Sequence, residues 1–167
     1  MPHFARWLTR RFVPVLSLMV LVMAVAAPAW AGEAHDVQGV RFTAPEAWAV
    51  TAKSSGSLTL RSPDKQYTVL AFWWFPDEPL LGYDDITNVE HIVIDHEPVT
   101  LITSEIGGRV AVKGVTERAR ADKKRFIFTV EGEGEGVEAQ AVRAEYDTLA
   151  ATLRFAEGFA GAIPARH

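Results

Sequence analysis

The nine residues YTVLAFWWF, from Tyr67 to Phe75, restrict the fold of this chain more than any other segment. In an extended strand, alternate side chains point to opposite faces, and here both faces are apolar. A strand with one face in water alternates apolar with polar residues instead. The segment therefore predicts a central strand that is covered on both sides, by helices or by a partner.

Hairpin signals surround this strand. Residues 58–75 predict two strands joined across Ser62-Pro63-Asp64-Lys65, where proline presets a turn dihedral and aspartate bonds backbone amides. Residues 37–50 predict two short strands, and residues 99–130 predict a meander broken at Gly107-Gly108 and at residues 121–124. The segment RFIFTV at residues 125–130 forms the last strand of that meander.

Two segments have helical spacing. In residues 138–153, Val142, Tyr146, Leu149 and Leu153 recur on one helical face. Residues 85–96 (DITNVEHIVIDH) also place apolar residues on one stripe, although Ile92 and Ile94 alternate as in a strand, and we expect a helix there. Strands, helix, strands and helix in this order predict an α+β domain with a mostly antiparallel sheet covered by helices.

The amino terminus has the pattern of a secretory signal peptide. Arg6, Arg10 and Arg11 precede an apolar stretch, and Ala29 and Ala31 suit cleavage after Ala31. The alternative is an uncleaved membrane anchor, which is disfavoured because the apolar stretch is short and contains Pro14. We therefore expect residues 1–31 to be a leader of a periplasmic or secreted protein, residues 32–155 to form one domain, and residues 156–167 to be a flexible tail.

Composition excludes several classes of function. The chain has no cysteine, which removes disulfides, lipid anchors on cysteine and thiolate chemistry. The predicted leader holds three arginines and no acidic residue, so the remainder carries 14 basic and 21 acidic side chains, a net charge of −7 with histidine neutral. This charge argues against general nucleic-acid binding.

The order of these elements resembles a known family. The chain resembles the PsbP-like α/β/α sandwich, including exported bacterial proteins related to DcrB, in a strand entering F-x-A-P-x-x-W, a hairpin into an aromatic strand, a helix, a Gly-Gly break before a long hairpin and a final YDTLAATLRF. The resemblance spans residues 37–155 and rests on Phe42, Pro45, Trp48, Gly107, Gly108, Tyr146, Leu149, Leu153 and Phe155. It implies a non-catalytic accessory or binding module, and it supplies no catalytic residue.

Acidic and histidine-containing segments raise the question of a metal. His91 and His96 are five residues apart, which places them on opposite sides of a strand and about 140° apart on a helix. Residues 77–97 hold seven acids and no Lys or Arg, so a hard-cation site and a solvated acidic face are the alternatives. Residues 131–136 (EGEGEG) are interpreted as a flexible acidic connector, with a site for a cation or a basic peptide as the alternative. We predict no metal site and no cofactor.

Two segments are candidate binding surfaces. Trp73, Trp74 and Phe75 place large rings near a strand end, where the alternatives are a contact surface and plain core. Lys123, Lys124 and Arg125 belong to a stretch, residues 113–125, with six basic and two acidic residues. This stretch would contact anionic lipid or an acidic partner, or else protect a sheet edge.

The sequence contains no constellation that specifies a reaction. There is no G-x-S-x-G elbow, and the serines at residues 54–62 lie in turn sequence without a local histidine. We expect an exported non-enzymatic accessory or binding protein of the bacterial envelope, with an envelope protein or small ligand as its partner. The alternatives are an envelope-surface adaptor acting through the basic segment and a metal-dependent protein or enzyme.

Overall fold

The computed structural model describes residues 32–76 and 85–159. The predicted leader, most of the predicted tail and part of the acidic stretch lie outside these residues. The described residues form ten strands and one helix: β1 (Gly32–Val37), β2 (Val40–Pro45), β3 (Ala49–Lys53), β4 (Ser57–Arg61), β5 (Tyr67–Trp74), β6 (Ile86–Ile94), β7 (Glu97–Ile106), β8 (Arg109–Thr116), β9 (Arg125–Glu133), α1 (Ala139–Ala150) and β10 (Arg154–Phe155).

The strands form two antiparallel sheets. The larger has seven strands in the order β3-β4-β5-β9-β8-β7-β6, and the smaller has the order β1-β2-β10. The pairing of β5 with β9, which aligns Val69 with Val130, brings distant segments together in the middle of the larger sheet. The α+β class with a mostly antiparallel sheet is therefore confirmed.

The predicted hairpin turns are present and have the expected chemistry. Between β4 and β5, the Lys65 amide donates to the Ser62 carbonyl over 2.9 Å, and the Asp64 carboxylate accepts from the Gln66 amide over 3.0 Å. Between β7 and β8, Gly107 and Gly108 have φ values of 57° and 81°, in the left-handed region that two-residue hairpin turns require.

One face of the larger sheet carries the core. Phe128 of β9 packs edge-on against Phe42 of the small sheet, at 5.2 Å between ring centroids, and against Tyr146 of α1, at 5.7 Å. Val69 and Ala71 of β5 are buried on the same face. The small sheet and α1 thus form a layer over this side of β5 and β9.

Helix α1 confirms the prediction for residues 138–153, with Val142, Tyr146 and Leu149 buried. Gly132 of β9 lies beneath it, where a Cβ would stand 2.6 Å from side-chain atoms of Val137 and Val142. The absence of a side chain at Gly132 therefore permits the close approach of the helix to the sheet.

The helix expected at residues 85–96 is wrong, because this segment forms strand β6. It pairs with β7 through a two-residue turn, in which Asp95 and His96 have φ values of 47° and 70°. The alternation of Ile92 and Ile94 was the correct signal, and pairing with β7 outweighs the weak helical stripe. Since α1 is the one helix in the described part of the chain, helices cover one face of the sheet only. Side chains on the other face of β5 are half-buried.

The first half of the acidic connector expected at residues 131–136 is part of β9, which continues through Glu133. Arg109 of β8 lies opposite Glu133 in register, and its guanidinium donates to the carboxylate over 2.9 Å. This cross-strand ion pair explains why an acid is tolerated at the end of the strand.

Phe159 belongs to the interior, packing at 4.5 Å from Phe155 and 5.2 Å from Trp73 between ring centroids. It anchors the described carboxyl end beside β10. Within residues 32–76 and 85–159, no helix is both long and apolar enough to span a membrane.

Candidate functional site

The two surfaces predicted separately lie side by side. Because β5 pairs with β9, Trp74 stands directly opposite Arg125, and Trp73 stands opposite Phe126. The carboxyl end of the aromatic strand therefore adjoins the amino end of the strand that follows the basic turn. We call Trp74, Phe75, Lys123, Lys124 and Arg125 the aromatic-basic surface.

Trp73 faces the interior and lies beneath this surface. Its ring packs at 5.4 Å from Phe126, and its indole N–H donates to the Val37 carbonyl over 3.1 Å. The guanidinium of Arg120 lies 4.0 Å above the ring centroid, a cation-π contact. These contacts fix the Trp73 ring in the interior, next to the basic turn.

Trp74 points to the opposite face of the sheet and is half-buried. Its indole N–H is buried without a hydrogen-bond partner, and so is the Nε–H of Arg125 beside it. Each such donor costs on the order of 1–3 kcal/mol while it lacks an acceptor. A group that satisfies either atom has to be an acceptor, such as a carbonyl or a carboxylate.

Phe75 follows β5 and is 42% exposed. The Lys124 ammonium lies 4.7 Å above its ring centroid. This cation-π contact holds the lysine side chain against the ring and leaves the pair at the surface. An apolar ring and a positive charge are thus presented together.

Asp122 organises the basic turn. Its carboxylate accepts hydrogen bonds from the Arg120 side chain and from the Lys124 amide, the latter over 3.3 Å. The hydrogen bond from Arg120 is the main cause that lowers the pKa of Asp122 to about 2. The Lys123 amide donates to the Arg120 carbonyl over 2.8 Å, and Lys123 itself has a φ of 67°. The positions of Lys123 and Lys124 are therefore set by the turn.

Protection of a sheet edge does not explain these basic residues. Strand β9 lies between β5 and β8, and the edges of the larger sheet are β3 and β6. Sequence reasoning found the residues of the aromatic-basic surface but missed Arg120 and Asp122, which support it. The available signal was the acidic residue Asp122 placed two residues from Arg120 and two residues from Lys124. In a tight turn, both of these neighbours can donate hydrogen bonds to its carboxylate.

The histidines do not assemble a reactive group. His91 Nδ1 lies 2.8 Å from Glu117 Oε1 and 3.5 Å from the Thr100 hydroxyl. A relay from hydroxyl to carboxylate needs both ring nitrogens, whereas here one nitrogen faces both partners. His96 lies in the turn after β6. The described residues contain no group of three or more His, Asp or Glu side chains placed to hold a metal ion.

Comparison with known proteins bears on the fold. No family model matches the chain, and no curated protein matches it. The solution structure of cyanobacterial PsbP (CyanoP) from Synechocystis sp. PCC 6803 is similar, with a TM-score of 0.52 and 14% identity, over 81% of this chain and 98% of that one. A crystal structure from Bacteroides thetaiotaomicron VPI-5482 matches with a TM-score of 0.48 and 15% identity, over 71% of this chain and 46% of that one. The chain therefore has a PsbP-like fold.

Proposed function

We propose that this chain is an exported, non-enzymatic accessory protein of the bacterial envelope that binds an acidic partner protein through the aromatic-basic surface. The observation that carries the proposal is the stack of Lys124 on Phe75, at the end of the sheet where Trp74 stands opposite Arg125 in register. The leader-like amino terminus supports export, and the fold shared with PsbP is compatible with an accessory role.

The chemistry of the surface favours a protein partner. Tryptophan and arginine are the residues most enriched among those that dominate binding energy at protein interfaces. The basic turn is already ordered by Asp122, so binding would cost little conformational entropy there.

The net charge argues against a membrane as the main target. Outside the predicted leader the chain carries −7, which an anionic leaflet repels, while the local excess of basic residues in residues 113–125 steers an acidic protein to one place. Binding should therefore weaken as salt is raised, because salt screens this attraction.

The test is recovery of partners from the native envelope with the exported chain, residues 32–167, immobilised at one end. A partner that is recovered is then purified and titrated against wild type, Phe75→Ala and the double variant Lys124→Glu/Arg125→Glu. Matched controls on the edge strand β3 are Val50→Ala and Lys53→Glu, which change an exposed valine and an exposed lysine that are not part of the aromatic-basic surface.

We expect both surface variants to weaken binding at least tenfold and both controls to leave it unchanged. Equal affinity of wild type and surface variants would contradict the proposal. Vesicles containing phosphatidylglycerol form the second arm of the experiment. Salt-sensitive vesicle binding that is lost in the double variant, with no protein recovered, would replace the protein partner by a lipid surface.

A further inference from the structure

The two edges of the seven-stranded sheet differ in how they are protected. Strand β3 has five residues, a register shift between Val50 and Ala52, and a lysine at its end, Lys53. Short length, irregular pairing and lysine are the features that keep an edge from pairing with another chain. Strand β6 has nine residues and contains no Lys, Arg or Pro, and its own register shift, between Ile86 and Asn88, lies at its start and leaves Val89 to Ile94 regularly paired.

Strand β6 also presents apolar side chains to solvent. Val93 is 70% exposed and Val89 is 51% exposed, and both lie on the same face because they are four residues apart. His91 lies between them on that face. A long edge strand with two exposed valines is a template for addition of another strand.

The two ionisable side chains of β6 are engaged within the chain itself. Glu90 Oε1 lies 2.6 Å from Arg143 Nη1, and His91 Nδ1 lies 2.8 Å from Glu117 Oε1. A second copy of β6 therefore brings no ionisable side chain without a contact in its own chain.

We propose that two copies of this chain associate through antiparallel pairing of β6 with β6, about a two-fold axis at His91. The axis places Val89 of each copy opposite the partner's Val93, so the two most exposed apolar residues of β6 are covered together in both halves of the contact. Two-fold pairing of identical edge strands is self-complementary, because each contact occurs twice.

Helix α1 leaves space for the added strand. A groove of about 370 Å³ runs between β6 and α1, and its lining combines Ile92 and Ile94 of β6 with the small residues Ala150 and Ala151 and the charged residues Arg143 and Asp147. A strand beside β6 lies along this groove, and its side chains on the α1 side, such as the partner's Ile92, enter it. The pairing joins the two larger sheets into one continuous sheet. It does not use residues of the aromatic-basic surface, since β8 and β7 separate β9, which carries Arg125, from β6.

Sedimentation equilibrium of the exported chain, residues 32–167, tests this association. We expect a dimer, a shift of at least tenfold toward monomer for Val93→Lys, and no shift for Val50→Lys, which places the same charge on the other edge. Circular dichroism of each variant establishes that it is folded. A wild-type chain that stays monomeric at about 100 μM, or a Val93→Lys variant that dimerises as wild type does, would overturn the proposal.

The absence of cysteine permits a second test that does not depend on weakening the contact. A single His91→Cys substitution places two thiols opposite each other at the axis, so mild oxidation should give a covalent dimer in high yield. Thr51→Cys on β3 is the control and should stay monomeric. Equal cross-linking of the two variants would show random collision instead of the proposed pairing.

Discussion

Asp122 illustrates how one short side chain orders a charged turn. Its carboxylate accepts hydrogen bonds from the Arg120 side chain and from the Lys124 backbone amide. The guanidinium of Arg120 in turn covers the ring of Trp73. The turn is thereby connected to the interior, and the lysines that follow it are presented in fixed positions. Both hydrogen-bond donors to Asp122 come from the same turn, so the conformation of the turn depends on residues that are close in sequence.

We predict that Arg120→Gln raises the pKa of Asp122 from about 2 toward the ordinary value of 3.8, because the principal hydrogen bond to the carboxylate is lost. Because the pKa is depressed in the folded state, the interaction stabilises the fold above pH 3.8, and this contribution is lost as the pH falls toward 2. Carboxyl carbon chemical shifts recorded against pH measure the change. Arg61→Gln on β4 is the control, and an unchanged Asp122 titration in Arg120→Gln would contradict the assignment.

Gly114 and Tyr146 form a tight contact in the core. A Cβ on Gly114 would stand 2.0 Å from the Tyr146 hydroxyl oxygen, and this buried hydroxyl has no hydrogen-bond partner. Burial also raises the pKa of the Tyr146 phenol. The hydroxyl is therefore both the obstacle to a side chain at residue 114 and a polar group without compensation.

Gly114→Ala should lower the free energy of unfolding by about 1–3 kcal/mol, because the added methyl group overpacks the core. Tyr146→Phe alone should raise it by about 1 kcal/mol, since an unsatisfied hydroxyl is removed. The double variant should lose less stability than the sum of the single changes, because the obstructing oxygen is gone. Urea unfolding of all three variants measures this coupling, and strictly additive effects would rule out the contact.

At the scale of elements, the sequence was sufficient to predict an element where all the residues that determine it lie in one short segment. The hairpin at Ser62–Lys65, the Gly107-Gly108 turn and the periodicity of α1 were all predicted correctly. Strand β6 was not, because its state depends on pairing with β7, which a helical stripe in the same residues obscures. Strand β10 has two residues and depends on β2, so no local pattern indicates it.

The β6 to β7 turn gives an element-scale prediction. His96 has a φ of 70°, a conformation that costs a non-glycine residue roughly 1–2 kcal/mol. His96→Gly should therefore raise the free energy of unfolding by up to about 1 kcal/mol, and the β-branched His96→Val should lower it by at least that amount. Thermal unfolding of the two variants measures the difference. A helix at this position would give the reverse order, because valine is a better helix former than glycine.

At the scale of the whole molecule, the pairing of β5 with β9 creates the candidate site. Some 50 residues separate Trp74 from Arg125 in the sequence, and their register opposite each other follows from the strand order of the complete sheet. The sequence indicated an aromatic group and a basic group, and it could not indicate that they adjoin. An acidic chain thus brings aromatic rings and positive charges together at the carboxyl end of β5.

The most direct test of the aromatic-basic surface is a double-mutant cycle on binding to the purified envelope partner, using Phe75→Ala, Lys124→Gln and the combination. Phe75 and Lys124 are in contact, so their effects on the binding free energy should differ from additivity by about 0.5 kcal/mol or more. The pair Val50→Ala with Lys124→Gln is the control and should be additive. Additivity of the Phe75 and Lys124 effects within about 0.3 kcal/mol would contradict the proposed surface, because the ring and the ammonium would then not act together in binding.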